Sequence, residues 1–169
     1  DAINTGDYNI AIGYQALSAE DTGDRNTAVG FQSLQNVNGA NNNANTALGY
    51  QSGVNISTGV ENRVIGSAAG DSLDSGNSNV AIGTDALGGS SLVDQTVVVG
   101  SQAGIGAMTA DADGTVIMGY SAGASLTSGP GNTLIGYLAG TDLTTGGANT
   151  IIGYQAMTNA QTNVGHTTA

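Results

Sequence analysis

The residues able to do chemistry are few and scattered. The chain of 169 residues has one histidine, His166, in the C-terminal stretch "TNVGHTTA", and neither cysteine nor lysine. A histidine in such a stretch is more often solvated than catalytic. Serines are frequent, but none has a base close by in sequence to activate it. No glycine cluster lies between a strand and a helix, the context that a phosphate-binding loop requires. The thirteen acids form no continuous row at one repeat position, and no glycosidase pair is expected from them. The one metal candidate is "DADG", in which Asp111 and Asp113 resemble half of a calcium loop. The remaining oxygen ligands and the distal Glu are missing, so an Asx-type turn taking up extra residues is the better reading. The expectation is a non-enzymatic protein without cofactor, metal or catalytic residue.

Charge narrows the partners. Arg25 and Arg63 are the only strong cations, and the net charge is −11. Nucleic acid needs clustered Lys and Arg to neutralise phosphate, and anionic membrane surfaces need the same. No apolar run approaches the roughly 20 residues of a membrane helix, and the start shows no signal-peptide pattern. The absence of cysteine fits an extracellular protein and a cytosolic one equally.

What positions any site is a repeat. "NIAIGYQAL" at 9–17 returns as "NTAVGFQSL" at 26–34 and as "NTIIGYQAM" at 149–157. Its glycine falls at Gly13, Gly30, Gly49, Gly66, Gly83, Gly100, Gly119, Gly136 and Gly153. The gaps are 17, 19, 17, 17, 17, 19, 17 and 17 residues. Such an array predicts a solenoid in which each repeat packs on its neighbours. The copies fill the chain, so 1–169 reads as one repeat domain, a fragment or processed part of a longer fibre.

Glycine, Asn and Thr are too frequent for helices, and the apolar positions miss the helical spacing. The residues before each glycine instead predict a short β-strand. A second apolar position follows seven residues after the glycine, at Val37, Ile56, Leu73, Leu126 and Leu143, and predicts a shorter second strand. Turn residues fill the rest. The expected fold is an all-β parallel β-solenoid of nine coils, about 43 Å long at the usual spacing between strands.

Alternation along the strand then assigns its faces. The residue before the glycine is aliphatic in all nine copies: Ile12, Val29, Leu48, Ile65, Ile82, Val99, Met118, Ile135 and Ile152. This row is expected to form the coil core. The residue two before it is also never polar: Ala11, Ala28, Ala47, Val64, Ala81, Val98, Ile117, Leu134 and Ile151. A strand apolar on both faces is covered on both, so this second row is expected to be the interface with identical chains.

Two further rows recur. An Asn stands four before the glycine in seven copies, with Thr96 and Thr115 in the other two, either as an amide ladder or as a turn residue. The residue after the glycine is Tyr14, Phe31 and Tyr50, then Ser67, Thr84 and Ser101, then Tyr120, Tyr137 and Tyr154. The aromatics are either stacked corner residues, as parity with the preceding aliphatic favours, or a surface for glycan or protein contact. The two longer copies place loops at 36–44 and 108–114 that would protrude from the rod and could carry binding.

"NIAIGYQAL", "NTAVGFQSL" and "NVAIGTDAL" resemble the head repeats of trimeric autotransporter adhesins. They are more similar still to repeat arrays in bacteriophage tail fibres. The resemblance covers essentially the whole chain. It implies a left-handed parallel β-roll assembled as a homotrimer, with Ile12 and Gly13 and their equivalents matching the buried Ile and the Gly of the adhesin motif. It also implies attachment to a cell-surface glycan or protein receptor, outside the cell or on a virion. The copies here are longer than adhesin head repeats. Two rival readings are an ice-binding solenoid, with Thr27, Thr46, Thr133 and Thr150 at one repeat position, and a glycan-cleaving tailspike.

Overall fold

The computed structural model describes residues 6–39, 41–159, 165 and 168. Nine three-residue strands stack in chain order into one parallel sheet. They are Ile10–Ile12, Thr27–Val29, Thr46–Leu48, Arg63–Ile65, Val80–Ile82, Val97–Val99, Val116–Met118, Thr133–Ile135 and Thr150–Ile152, called rungs 1 to 9 below. Every rung pairs in register with the next, Ile10 with Thr27, Thr27 with Thr46 and so on to Thr150. The chain is therefore an all-β parallel β-solenoid. Its register steps run 17, 19, 17, 17 and then repeat in that order. Positions 70 residues apart are thus equivalent, and the array is a four-coil unit used twice.

Backbone geometry closes each coil. The glycine after the strand has φ between 133° and 142° on every rung. A Cβ there would lie inside the backbone carbonyl of the next rung's glycine, on all rungs but the last. Three more positions per coil are left-handed: five before the glycine, two after it and four after it. Many carry side chains, as at Arg25, Gln32 and Leu34, although left-handed backbone costs a non-glycine residue about 1–2 kcal/mol. Inter-coil hydrogen bonds sustain it. The ladder runs past the strand, with Gly30 N–H donating to the Ile12 carbonyl at 2.8 Å and Gln32 N–H to that of Tyr14 at 2.8 Å.

The two strand faces are the reverse of the sequence expectation. The Ala11 row lies inside, and from Ala28 to Ile151 it is 0 % exposed. Only Ala11, with a described rung on one side alone, is exposed. The Ile12 row points outward: Ile12 is 61 % exposed, Leu48 49 % and Met118 41 %, with Val29, Ile65, Val99 and Ile135 half-buried. Ile12, Val29, Leu48, Ile65, Ile82, Val99, Met118, Ile135 and Ile152 are therefore not the coil core. Ala11, Ala28, Ala47, Val64, Ala81, Val98, Ile117, Leu134 and Ile151 are not an outer interface. The Asn row supplies the physical reason. It shares strand parity with the Ala11 row, and Asn26, Asn45, Asn62, Asn79, Asn132 and Asn149 are buried. These amides satisfy backbone groups inside the coil, which turns the Ala11 row inward with them.

The interior is narrow, and its volume is held nearly constant by exchange between positions. In several coils with a small inner strand residue a leucine fills the space from six residues later, as in Ala28 with Leu34 and Ala81 with Leu87; Ala47 is instead followed by Gly53, whose space is taken by Ile56, Leu34 and Val64, and Ile151 is followed by Met157. Where the inner residue is otherwise large, that later residue is glycine, as in Val64 with Gly70, Ile117 with Gly123 and Leu134 with Gly140. A Cβ on Gly140 would meet Leu134 at 3.0 Å. The second apolar row is buried as expected, at Val37, Ile56, Leu73, Leu126 and Leu143. It sits in hydrogen-bonded turns instead of a second strand, and among the described residues the only other strands are the short pair Gly23–Asp24 and Asn41–Asn42.

Candidate functional site: the exposed apolar face

The outer face of the sheet carries three rows. One stands three before the glycine (Ile10, Thr27, Thr46, Arg63, Val80, Val97, Val116, Thr133, Thr150), the second is the Ile12 row and the third is the Tyr14 row. The glycines form a trough between the last two. Among these 27 positions Arg63 is the only charged residue, and none is acidic. Among the described residues, twelve of the fifteen large apolar ones that are exposed lie here; the others are Tyr8, Leu92 and Ile105. Scattered apolar residues are normal on a surface, whereas a contiguous stripe over nine rungs marks a contact site.

The aromatics form two stacks. Tyr14, Phe31 and Tyr50 lie ring on ring at centroid distances of 5.2 and 5.3 Å, with planes 19° and 9° apart. Tyr120, Tyr137 and Tyr154 do the same at 5.4 and 5.2 Å. The inter-rung stacking expected from the sequence is present, but all six rings remain exposed, because the parity they share with the Ile12 row now points them outward. Each such pair contributes about 0.5–1.5 kcal/mol beyond its buried area. Beside the first stack runs a glutamine ladder, Gln32 Nε2 donating to Gln15 Oε1 at 2.9 Å and Gln51 Nε2 to Gln32 Oε1 at 2.8 Å. Ser67, Thr84 and Ser101 interrupt the aromatic row on rungs 4 to 6.

The remaining candidates are not gathered anywhere. Asp113 accepts the backbone N–H of Asp94 at 2.8 Å, tying one coil to the one before it. Asp111 is exposed, within the 3-10 turn Ala110–Ala112 of the longer copy. Among the described residues no three metal-ligating side chains converge, and no cleft opens. Of the other protruding loop, residue 40 lies outside the described residues, as does His166.

Two carboxylates escaped the sequence reading. Glu20 stands at the second core position, where neighbouring coils have Val37 and Ile56, and is buried. It accepts from Thr22 N–H at 3.1 Å, Gly23 N–H at 2.6 Å, Asn26 Nδ2 at 3.5 Å and Asn43 Nδ2 at 3.3 Å. The signal was its spacing of seven from Gly13, masked by its charge. Asp71 is part-buried, and its carboxyl is held above the usual range by desolvation first and by the charge of Asp85 second; hydrogen bonds from Ser72 oppose this. Asp71 meets the exposed Ser72 hydroxyl at 3.5 Å. What the surface offers is a long, mainly apolar strip without acids, with Arg63 as its one charge, which suits contact with another regular surface.

Comparison of the chain with protein-family models, with curated proteins and with solved structures gives no match.

Proposed function

We propose that this chain is a structural and adhesive segment of a trimeric extracellular or virion attachment fibre, of the bacteriophage tail-fibre kind, that meets a host-cell surface. The observation that supports it is the unbroken register of nine rungs beneath one continuous outer strip. Each rung is bonded to the next along its whole length, so opening one requires breaking two inter-rung interfaces, and the rod is stiff. A stiff rod carrying the same weak contact many times binds by multivalency, which needs no deep pocket. The head of a bacterial trimeric adhesin would work by the same physics.

The adhesive part is tested by incubating the fluorescently labelled chain with intact cells of a panel of bacterial strains. The expected result is saturable retention on some strains, competed by their purified lipopolysaccharide or capsular glycan. Absence of retention on every strain would contradict adhesion. Release of new reducing ends from those glycans would contradict a non-enzymatic role.

A further inference from the structure

We infer that the outer strip, made of the Ile10 row, the Ile12 row, the glycine trough and the aromatic stacks, is the surface on which copies of this chain pack against one another. The inference deepens the fibre reading and rests on it, by saying which face assembles.

Charge singles out the face. Two chains of net charge −11 repel, and each carries its acids elsewhere: Asp7, Asp24, Asp94 and Asp113 six before the glycine, Asp71 and Asp74 in the turns. Across a face free of acids, whose one cation Arg63 lies on its edge row, two copies meet without desolvating carboxylates against one another, which would cost several kcal/mol. Pitch points to the same occupant. The strip repeats at about 4.8 Å over nine rungs, and a second copy has that pitch by construction. An irregular protein surface would match a few rungs at most. Area reaches the threshold. Eight inter-rung steps make a face about 38 Å long, and the four residue steps between the outer rows make it about 13 Å wide. Two such faces bury about 1,000 Å², the lower bound for a specific interface. Each rung except rung 4 offers at least two apolar side chains to it: Val80 and Ile82 on rung 5, Ile135 and Tyr137 on rung 8.

The assignment separates two roles that an aromatic row could serve. With the rings committed to contact between copies, receptor contact falls to the turn side of the rod and to the loops of the longer coils.

The test is sedimentation equilibrium on the whole chain and three variants. Ile82→Glu with Met118→Glu places two carboxylates on the strip two rungs apart, so that they do not crowd each other. Thr58→Glu with Thr145→Glu places the same charge on the exposed turn side. Tyr50→Ser with Tyr137→Ser adds no charge and copies what Ser67 and Ser101 already provide. The expected pattern is an oligomer for the parent and the turn-side variant, and a single chain with unchanged β-sheet circular dichroism for the first variant. The serine variant should weaken association by tenfold or more. A parent oligomer that persists in both strip variants overturns the inference and leaves the fibre reading standing. A parent that is itself a single chain overturns both.

Discussion

The side-chain oxygen of Asn62 accepts the backbone N–H of Asn79 at 3.0 Å, while its Nδ2 donates to the Gly76 carbonyl at 2.7 Å. One amide thus ties the strand and the turn of the next coil to its own. Asn45 does the same for Asn62 and Gly59, and Asn9 for Asn26 and Gly23. Thr96 and Thr115 bond instead within their own coils, to the Asp94 and Ala112 carbonyls. The row is therefore mainly an amide-to-backbone clamp, with direct amide contacts added at Asn62–Asn79 and Asn132–Asn149. Asn62→Ala leaves a buried N–H and a buried C=O without their partners, and chemical denaturation should show a loss of about 2–4 kcal/mol. A loss below 0.5 kcal/mol would mean that water replaces the clamp.

Gly131 and Ala148 occupy the same left-handed position on successive coils, with φ of 68° and 57°. A Cβ on Gly131 would meet nothing within 4 Å, so the comparison isolates backbone strain from packing. Gly131→Ala should cost about 0.5–1 kcal/mol and Ala148→Gly should gain a similar amount, read from paired denaturation curves. A gain from Gly131→Ala together with a loss from Ala148→Gly would show that strain is not what separates them.

Leu134 and Gly140 share one slot in the core. Leu134→Ala alone opens a cavity and should cost about 2–5 kcal/mol. Gly140→Leu alone overpacks and should cost about 1–3 kcal/mol. Together they recreate the arrangement of Ala28 with Leu34, where leucine is tolerated at φ 48°. The double variant should recover at least 1 kcal/mol relative to the sum of the single ones. Simple additivity would mean that the two sites do not exchange volume.

This exchange also shows why the period was legible and the faces were not. Nine glycines at near-constant spacing expose the solenoid directly, because a Cβ at any but the last strikes the next coil. The faces had to be chosen between two apolar rows, and the more uniform and bulkier one looked like core. Inside so narrow a coil, however, residues in most coils vary in compensating pairs: Ala28 with Leu34, Leu134 with Gly140. Uniform bulk was the mark of the surface, and covariation six residues apart was the mark of the interior. The buried Asn row, with the parity of Ala28 and not of Val29, carried the same information.

Asp71 gives the fold a pH dependence of known sign. Its carboxyl is raised mainly by desolvation and then by Asp85, so the folded state favours the protonated form. The stabilising contribution is present below the unfolded value of about 4 and is lost as pH rises through the folded one. Asp71→Asn should therefore raise Tm at pH 7, and that gain should shrink as the pH falls toward about 4. A gain that is independent of pH would place its origin elsewhere.

The central claim is that nine stacked rungs present an apolar face that only other copies of the chain cover. Light scattering on a size-exclusion column, giving absolute mass, tests it most directly. The account predicts about three times the 16.5 kDa chain mass. A mass of one chain at all concentrations would contradict it, since Ile12, Leu48, Met118 and the two ring stacks would then face water in the native protein.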